Sequence, residues 1–241
     1  MARLGHWIVS GAIDLTSESR SGVSGSVQDR PPRACGGLTL INILSSFGIE
    51  RTVLDVWPHI SRHGLRGELC ARSYLIGKYA ADAGLASAVI QCHAARAWDA
   101  VRFCASNGLR LMINHRATND ACLSTSQEGH YTILRSILND RIELEDPLLG
   151  RVIRLCKRDF LDLWQPNLET VGFILIAIGT EHPSDDGNVK GELRCPRCTM
   201  PIRFQPSILF EPCHWNQGGM FQRFFCLGCD AAFQKAPNIA P

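Results

Sequence analysis

The hydrophobic pattern of the chain changes period near residue 129, and this switch constrains the fold more than any other feature. Ahead of it, apolar residues recur at helical spacing. LTLINILSSF (38–47) stops at Gly48, and a short segment around Val53, Leu54 and Val56 occupies 50–62. ELCARSYLIGKYAADAGL (68–85) stops at Gly84, and AWDAVRFCASNGL (97–109) ends near Gly108. Each predicts a helix, three of them with a glycine stop. SAVIQCH and LRLMINHRA read as strands between them. Beyond residue 129, HYTILRSIL, RIELEDP and RVIRLC alternate apolar and polar residues, with a turn at Asn139-Asp140. They predict successive antiparallel strands. A short helix, KRDFLDLW, and a strand, TVGFILIAI, close the unit. Helices first and an antiparallel sheet afterwards is an α+β arrangement.

At 241 residues the chain is long enough for one enzyme-sized core and a small added module. The polar, turn-rich segment GTEHPSDDGNVKG marks the boundary. The expected organisation is a flexible lead-in over 1–27, a main domain over 28–180, a linker over 181–191 and a terminal module over 192–241. A net charge of +2 creates little field to attract nucleic acid or an anionic membrane, so neither partner is implied. The longest apolar run, VGFILIAIG (171–179), is too short to span a bilayer and reads as a buried strand. The N-terminus lacks the apolar core and cleavage site of a signal peptide, so a cytoplasmic protein is expected.

Eleven cysteines do not form a secretory pattern. The number is odd, and Cys70, Cys92, Cys104 and Cys156 are scattered singly. Cys195-Pro-Arg-Cys198 and Cys226-Leu-Gly-Cys229 are paired knuckles whose four thiolates suit tetrahedral zinc. The implied cofactor is a structural Zn²⁺ in a C-terminal zinc ribbon, with Cys213 and His214 as substitute ligands from the insert. Arginines 194, 197, 203 and 223, with Phe204, Trp215, Phe221, Phe224 and Phe225, could line a basic aromatic face. The favoured reading gives the aromatics to the ribbon's own core and makes the module an appendage that docks a protein partner or positions the substrate.

Cys35 follows Pro31-Pro32 at the start of the first apolar helix, a position that lowers a thiol pKa. Gly36 and Gly37 would let a substrate backbone approach. His130 opens a strand and Asp146 ends the next one, before Pro147. The order Cys, His, Asp suits a thiol nucleophile, a base and a carboxylate that orients the base.

From Gln28 to about Ile178, the chain resembles the papain-like bacteriocin-processing cysteine peptidases, which cleave leader peptides after a double glycine. The matching pieces are C-G-G-x-x-L at 35–40, Phe47-Gly48, A-x-x-x-G-L at 80–85, G-H-Y at 129–131, D-P-x-x-G at 146–150, and the pair Phe160 and Trp164. The resemblance implies a papain-like fold in a stand-alone member acting on a peptide or protein substrate. It also implies Cys35 as nucleophile, His130 as base, Asp146 as orienter and Gln28 as oxyanion donor. Gln28 stands seven residues before Cys35, one more than the usual spacing, and Ala34 replaces a more polar neighbour. Two other readings use the same residues: an acyltransferase that passes the acyl group to an amine, and a catalytically silent peptide-binding adaptor.

Overall fold

The computed structural model describes residues 34–64, 67–116, 129–166, 171–180 and 193–234. All of them belong to one compact unit, Pro31–Pro241. The segment 1–27, Gln28 and the linker 181–191 lie outside the described residues.

Helix α1 (Cys35–Ser46) starts at the cysteine itself and ends where Gly48 takes a φ of +76°. That left-handed turn lets the Ile49 N–H return to the Leu44 carbonyl at 3.0 Å, a glycine-closed helix end. Helix α2 (Val53–Ile60) begins in a capping box, in which Thr52 and Asp55 satisfy each other's backbone N–H groups. The segment 68–85 departs from its expectation. Leu69–Ala71 is not helical but forms strand β2, paired antiparallel with β1 (Ser61–His63), and helix α3 covers only Ser73–Asp82. Non-local hydrogen bonding to β1 overrides the helical spacing of this short stretch.

Next come β3 (Ala86–Cys92), α4 (Ala97–Ser106) and β4 (Arg110–Arg116). The alternating region supplies β5 (Gly129–Leu138), β6 (Arg141–Asp146) and β7 (Arg151–Cys156), with Asn139 at a φ of 53° in the first turn. Helix α5 (Lys157–Leu163) leads to β8 (Ile174–Gly179), which starts four residues later than TVGFILIAI suggests because Gly172 and Phe173 have positive φ. The C-terminal segment adds β9 (Phe221–Phe225) and β10 (Ala232–Phe233).

Among the described residues these strands form a two-stranded sheet, β1-β2, and an eight-stranded one in the order β10-β9-β3-β8-β4-β5-β6-β7. Every pairing within them is antiparallel. The C-terminal segment is therefore continuous with the main sheet, since β9 pairs directly with β3.

Helices cover both faces of the central strands. Val89, Met112, Ile174, Ile176 and Ile178 pack with α1, α2 and α3. Their alternates Ile90, Leu111, Ile113, Leu175 and Ala177 pack with α4, α5 and the C-terminal aromatics. Two-sided burial explains why β8 reads as an unbroken apolar run. Phe160 and Trp164, which motif spacing marks as core, are fully buried, and the Trp164 indole donates to the Ile174 carbonyl at 3.2 Å.

Candidate active site and cysteine cluster

Cys35 is the first residue of α1 and is 7% exposed. Helix α1 is tied to β5 beside it, because the Thr39 hydroxyl donates to the Tyr131 carbonyl at 3.1 Å. Gly36 and Gly37 are buried rather than open to a ligand. A Cβ on Gly36 would lie 2.6 Å from the Ala71 Cβ and 3.2 Å from the Tyr131 ring, and one on Gly37 would meet Val53 and Trp57. These glycines let the first turn of α1 pack against β2, β5 and α2. The expectation of a backbone approach path for substrate is corrected on this point.

His130 sits at the start of β5, and Asp146 ends β6. His130 Nε2–H donates to Asp146 Oδ2 at 2.9 Å, with both residues almost completely buried. The other Asp146 oxygen accepts from the backbone N–H groups of Leu148 (3.1 Å) and Leu149 (3.3 Å), in the turn that follows Pro147. This turn fixes the carboxylate, so the Asp-Pro step sets its orientation as well as ending the strand. Cys35 lies close enough to the His130 ring to act, after Asp146, on its titration.

Burial alone would lower the His130 pKa. Hydrogen bonds to Asp146 and Cys35, together with their charges, overcome it and raise the imidazole to about 9. Burial would likewise raise Asp146, but the hydrogen bond and charge of His130 and the Leu149 and Leu148 N–H groups hold it below its ordinary value. His130 and Asp146, which the sequence singles out separately, are thus hydrogen-bonded, and Cys35 adds to the shift of the same imidazole. Gln28 is outside the described residues.

Sequence reasoning passes over His115. It pairs across strands with His130, and the two rings meet edge-on with centroids 5.6 Å apart. Its Nδ1–H donates to the Arg116 carbonyl at 2.6 Å, and its Nε2 accepts from the Thr132 hydroxyl at 3.1 Å. Burial, then the neighbouring His130 charge, pushes His115 down to about 4, so it stays neutral at ordinary pH. The available signal was its position at the end of a strand, but its neighbour is set by β4–β5 register.

Cys195, Cys198, Cys226 and Cys229 come together with all four sulfurs within 4.8 Å of one another and no disulfide between them. Cys195 and Cys229 are 3.6 Å apart, as are Cys198 and Cys226. A tetrahedral ion with metal–sulfur bonds of about 2.3 Å needs sulfurs about 3.8 Å apart, so the cluster fits zinc. The two knuckles repeat one backbone geometry. Cys195 N–H bonds to Met200 and Cys226 N–H to Ala231, while Thr199 and Asp230 return to the first cysteine of each knuckle with φ of 59° and 63°. Cys213 and His214 lie outside this cluster, so they are not substitute ligands in it. Phe204, Trp215, Phe221 and Phe224 pack with one another and onto the α4 face of the sheet. No described helix is long and apolar enough to cross a membrane.

No family model and no curated protein matches the sequence. Among solved structures, the chain is similar to the peptidase domain of Streptococcus ComA, a bifunctional ABC transporter involved in a quorum-sensing pathway. The identity is 15%, over 62% of this chain and 93% of that one, with a TM-score of 0.44. It is also similar to a C39-like peptidase from Bacillus anthracis, at 15% identity over 64% of this chain and 92% of that one, with a TM-score of 0.47.

Proposed function

We propose that the protein is a cysteine peptidase in which Cys35 is the nucleophile, His130 the general base and acid, and Asp146 the group that orients and charges the imidazole. The observation that carries this reading is the buried His130–Asp146 hydrogen bond of 2.9 Å beside the first turn of α1, which Thr39 ties to Tyr131, with Cys35 among the groups that raise the imidazole. In this scheme the Cys35 sulfur attacks the peptide carbonyl and His130 gives its proton to the leaving amine as the C–N bond breaks. Water, deprotonated by His130, then cleaves the thioester and restores the thiol. Gln28 and the Cys35 N–H would serve the oxyanion, a role that carries about 10²–10³ in rate per donor. The sequence motifs favour a papain-like arrangement and a peptide substrate cut after Gly-Gly. The four-cysteine cluster is assigned a structural zinc: a closed thiolate set leaves no position for catalysis and stabilises its surroundings.

The test is a peptide library that includes double-glycine sequences, incubated with the wild-type chain and with Cys35→Ala and read by mass. Cleavage by the wild type alone, with a trappable thioester at Cys35, is the expected result. Equal product from both proteins, or no cleavage of any peptide, sinks the proposal. If the trapped acyl group passes to added amines in preference to water, the enzyme is an acyltransferase instead.

A further inference from the structure

We propose that Glu211, Cys213 and His214 form a second metal site, separate from the four cysteines, that holds a divalent zinc-type cation and leaves a position open to an outside ligand.

The three residues lie in the short run Glu211-Pro212-Cys213-His214. Residues 212–214 make one turn of 3₁₀ helix with Glu211 at its N-cap, and the His214 N–H bonds to the Glu211 carbonyl at 3.1 Å. At three residues per turn, positions 211 and 214 stand on the same side, and their side chains converge. His214 Nε2 is 3.7 Å from Glu211 Oε2, Cys213 Sγ is 3.8 Å from that same oxygen, and Sγ stands beside the imidazole, 3.6 Å from Nδ1 and 3.9 Å from Nε2. One oxygen, one nitrogen and one sulfur donor lie within 4.8 Å of one another, and the exposed Glu211 and Cys213 side chains need only turn toward His214 to share one ion.

The surroundings hold the His214 ring in place. The imidazole of His214 packs against Phe103, with centroids 4.4 Å apart, and against Phe221 at 5.9 Å. The next residue, Trp215, is buried, stacks on Phe210 and donates its indole N–H to the Leu209 carbonyl at 2.7 Å. The turn is therefore anchored on its core side, while Glu211 and Cys213 are exposed.

The donor set differs in kind from the knuckles. One thiolate, one imidazole and one carboxylate make a borderline site suited to zinc, cobalt or nickel rather than to magnesium or calcium. Three protein donors also leave the fourth tetrahedral position to water or to a small external ligand, as in zinc sites that exchange ligands. The knuckles, by contrast, are closed. None of the three residues belongs to the Cys35–His130–Asp146 site or to the four-cysteine cluster.

The experiment is metal counting on the full, untagged chain after equilibration with Zn²⁺ or Co²⁺ and removal of excess. Two ions per wild-type chain are expected, falling to one in Cys213→Ser and in Glu211→Gln. Both altered residues are exposed, and circular dichroism checks that the fold is kept. In the cobalt form, the lost ion removes one thiolate's share of the sulfur-to-metal absorption, about a quarter of that from a four-thiolate site. One ion in the wild type that survives both substitutions, or two ions in every variant, overturns the proposal. One ion that is lost in Cys213→Ser but kept in Cys195→Ser supports this site and removes the four-cysteine assignment instead.

Discussion

His130 is the residue on which the rest of the site turns. Its folded pKa of about 9 lies above the ordinary 6.5, so the imidazolium is present at neutral pH and is lost as pH rises through about 9. On the proposed mechanism, kcat/KM falls along a basic limb near pH 9. Asp146→Asn keeps the shape of the site but removes a charge that raises His130, and it should move that limb to lower pH while cutting the rate. A limb that stays in place in the variant would assign the titration to another group. The same arrangement predicts that iodoacetamide labels Cys35 faster than the other thiols at neutral pH, and that His130→Ala removes this preference. Equal labelling of the exposed thiols in the wild type would count against an activated Cys35. At this scale the sequence was legible where chemistry and element ends coincide. Cys35 starts a helix, His130 starts a strand and Asp146 ends one, so each could be named before its partners were known. His115 was not legible, because only the register Asn114↔Tyr131, His115↔His130 brings it beside the site, and a long connection separates the two strands.

At the scale of elements, the first turn of α1 shows how a motif can be read correctly and explained wrongly. The two glycines after Cys35 serve the close packing of α1. Gly36→Ala places a methyl group 2.6 Å from that of Ala71, so β2 or the helix start must shift. Overpacking of this kind costs about 1–3 kcal/mol. Urea denaturation should show a loss of that size, with a drop in activity larger than the stability change alone produces, since the turn that moves carries Cys35. Unchanged stability would mean that β2 yields without cost. Strand β2 itself escaped the sequence reading because Glu-Leu-Cys-Ala has no strand pattern of its own. Only its partner β1 makes it extended. The longer helices and alternating strands were legible because each carries several periods of its own pattern.

For the whole molecule, the decisive feature is that β9 lies on β3. The cysteine knuckles flank strands of the main sheet, so the proposed zinc should stabilise the entire fold. Removing metal with a strong chelator, or replacing Cys226 with Ser, is expected to lower the melting temperature in one cooperative transition. A small separate transition that leaves the main one in place would show that the C-terminal segment melts on its own. Sequence could not show this continuity, because a polar segment parts β8 from the knuckles and strand pairing across such a distance has no local signal. One outcome concerns synthesis. Every residue of the Cys35 site has been made by the time the chain reaches β8, yet the outer edge of β3 at Ile90–Cys92 is paired only by β9, which emerges later. Until then the nascent protein presents an unpaired strand edge there, the surface on which chains add to one another. A chain stopped at Thr180 should therefore scatter light as it self-associates, even with its catalytic residues complete.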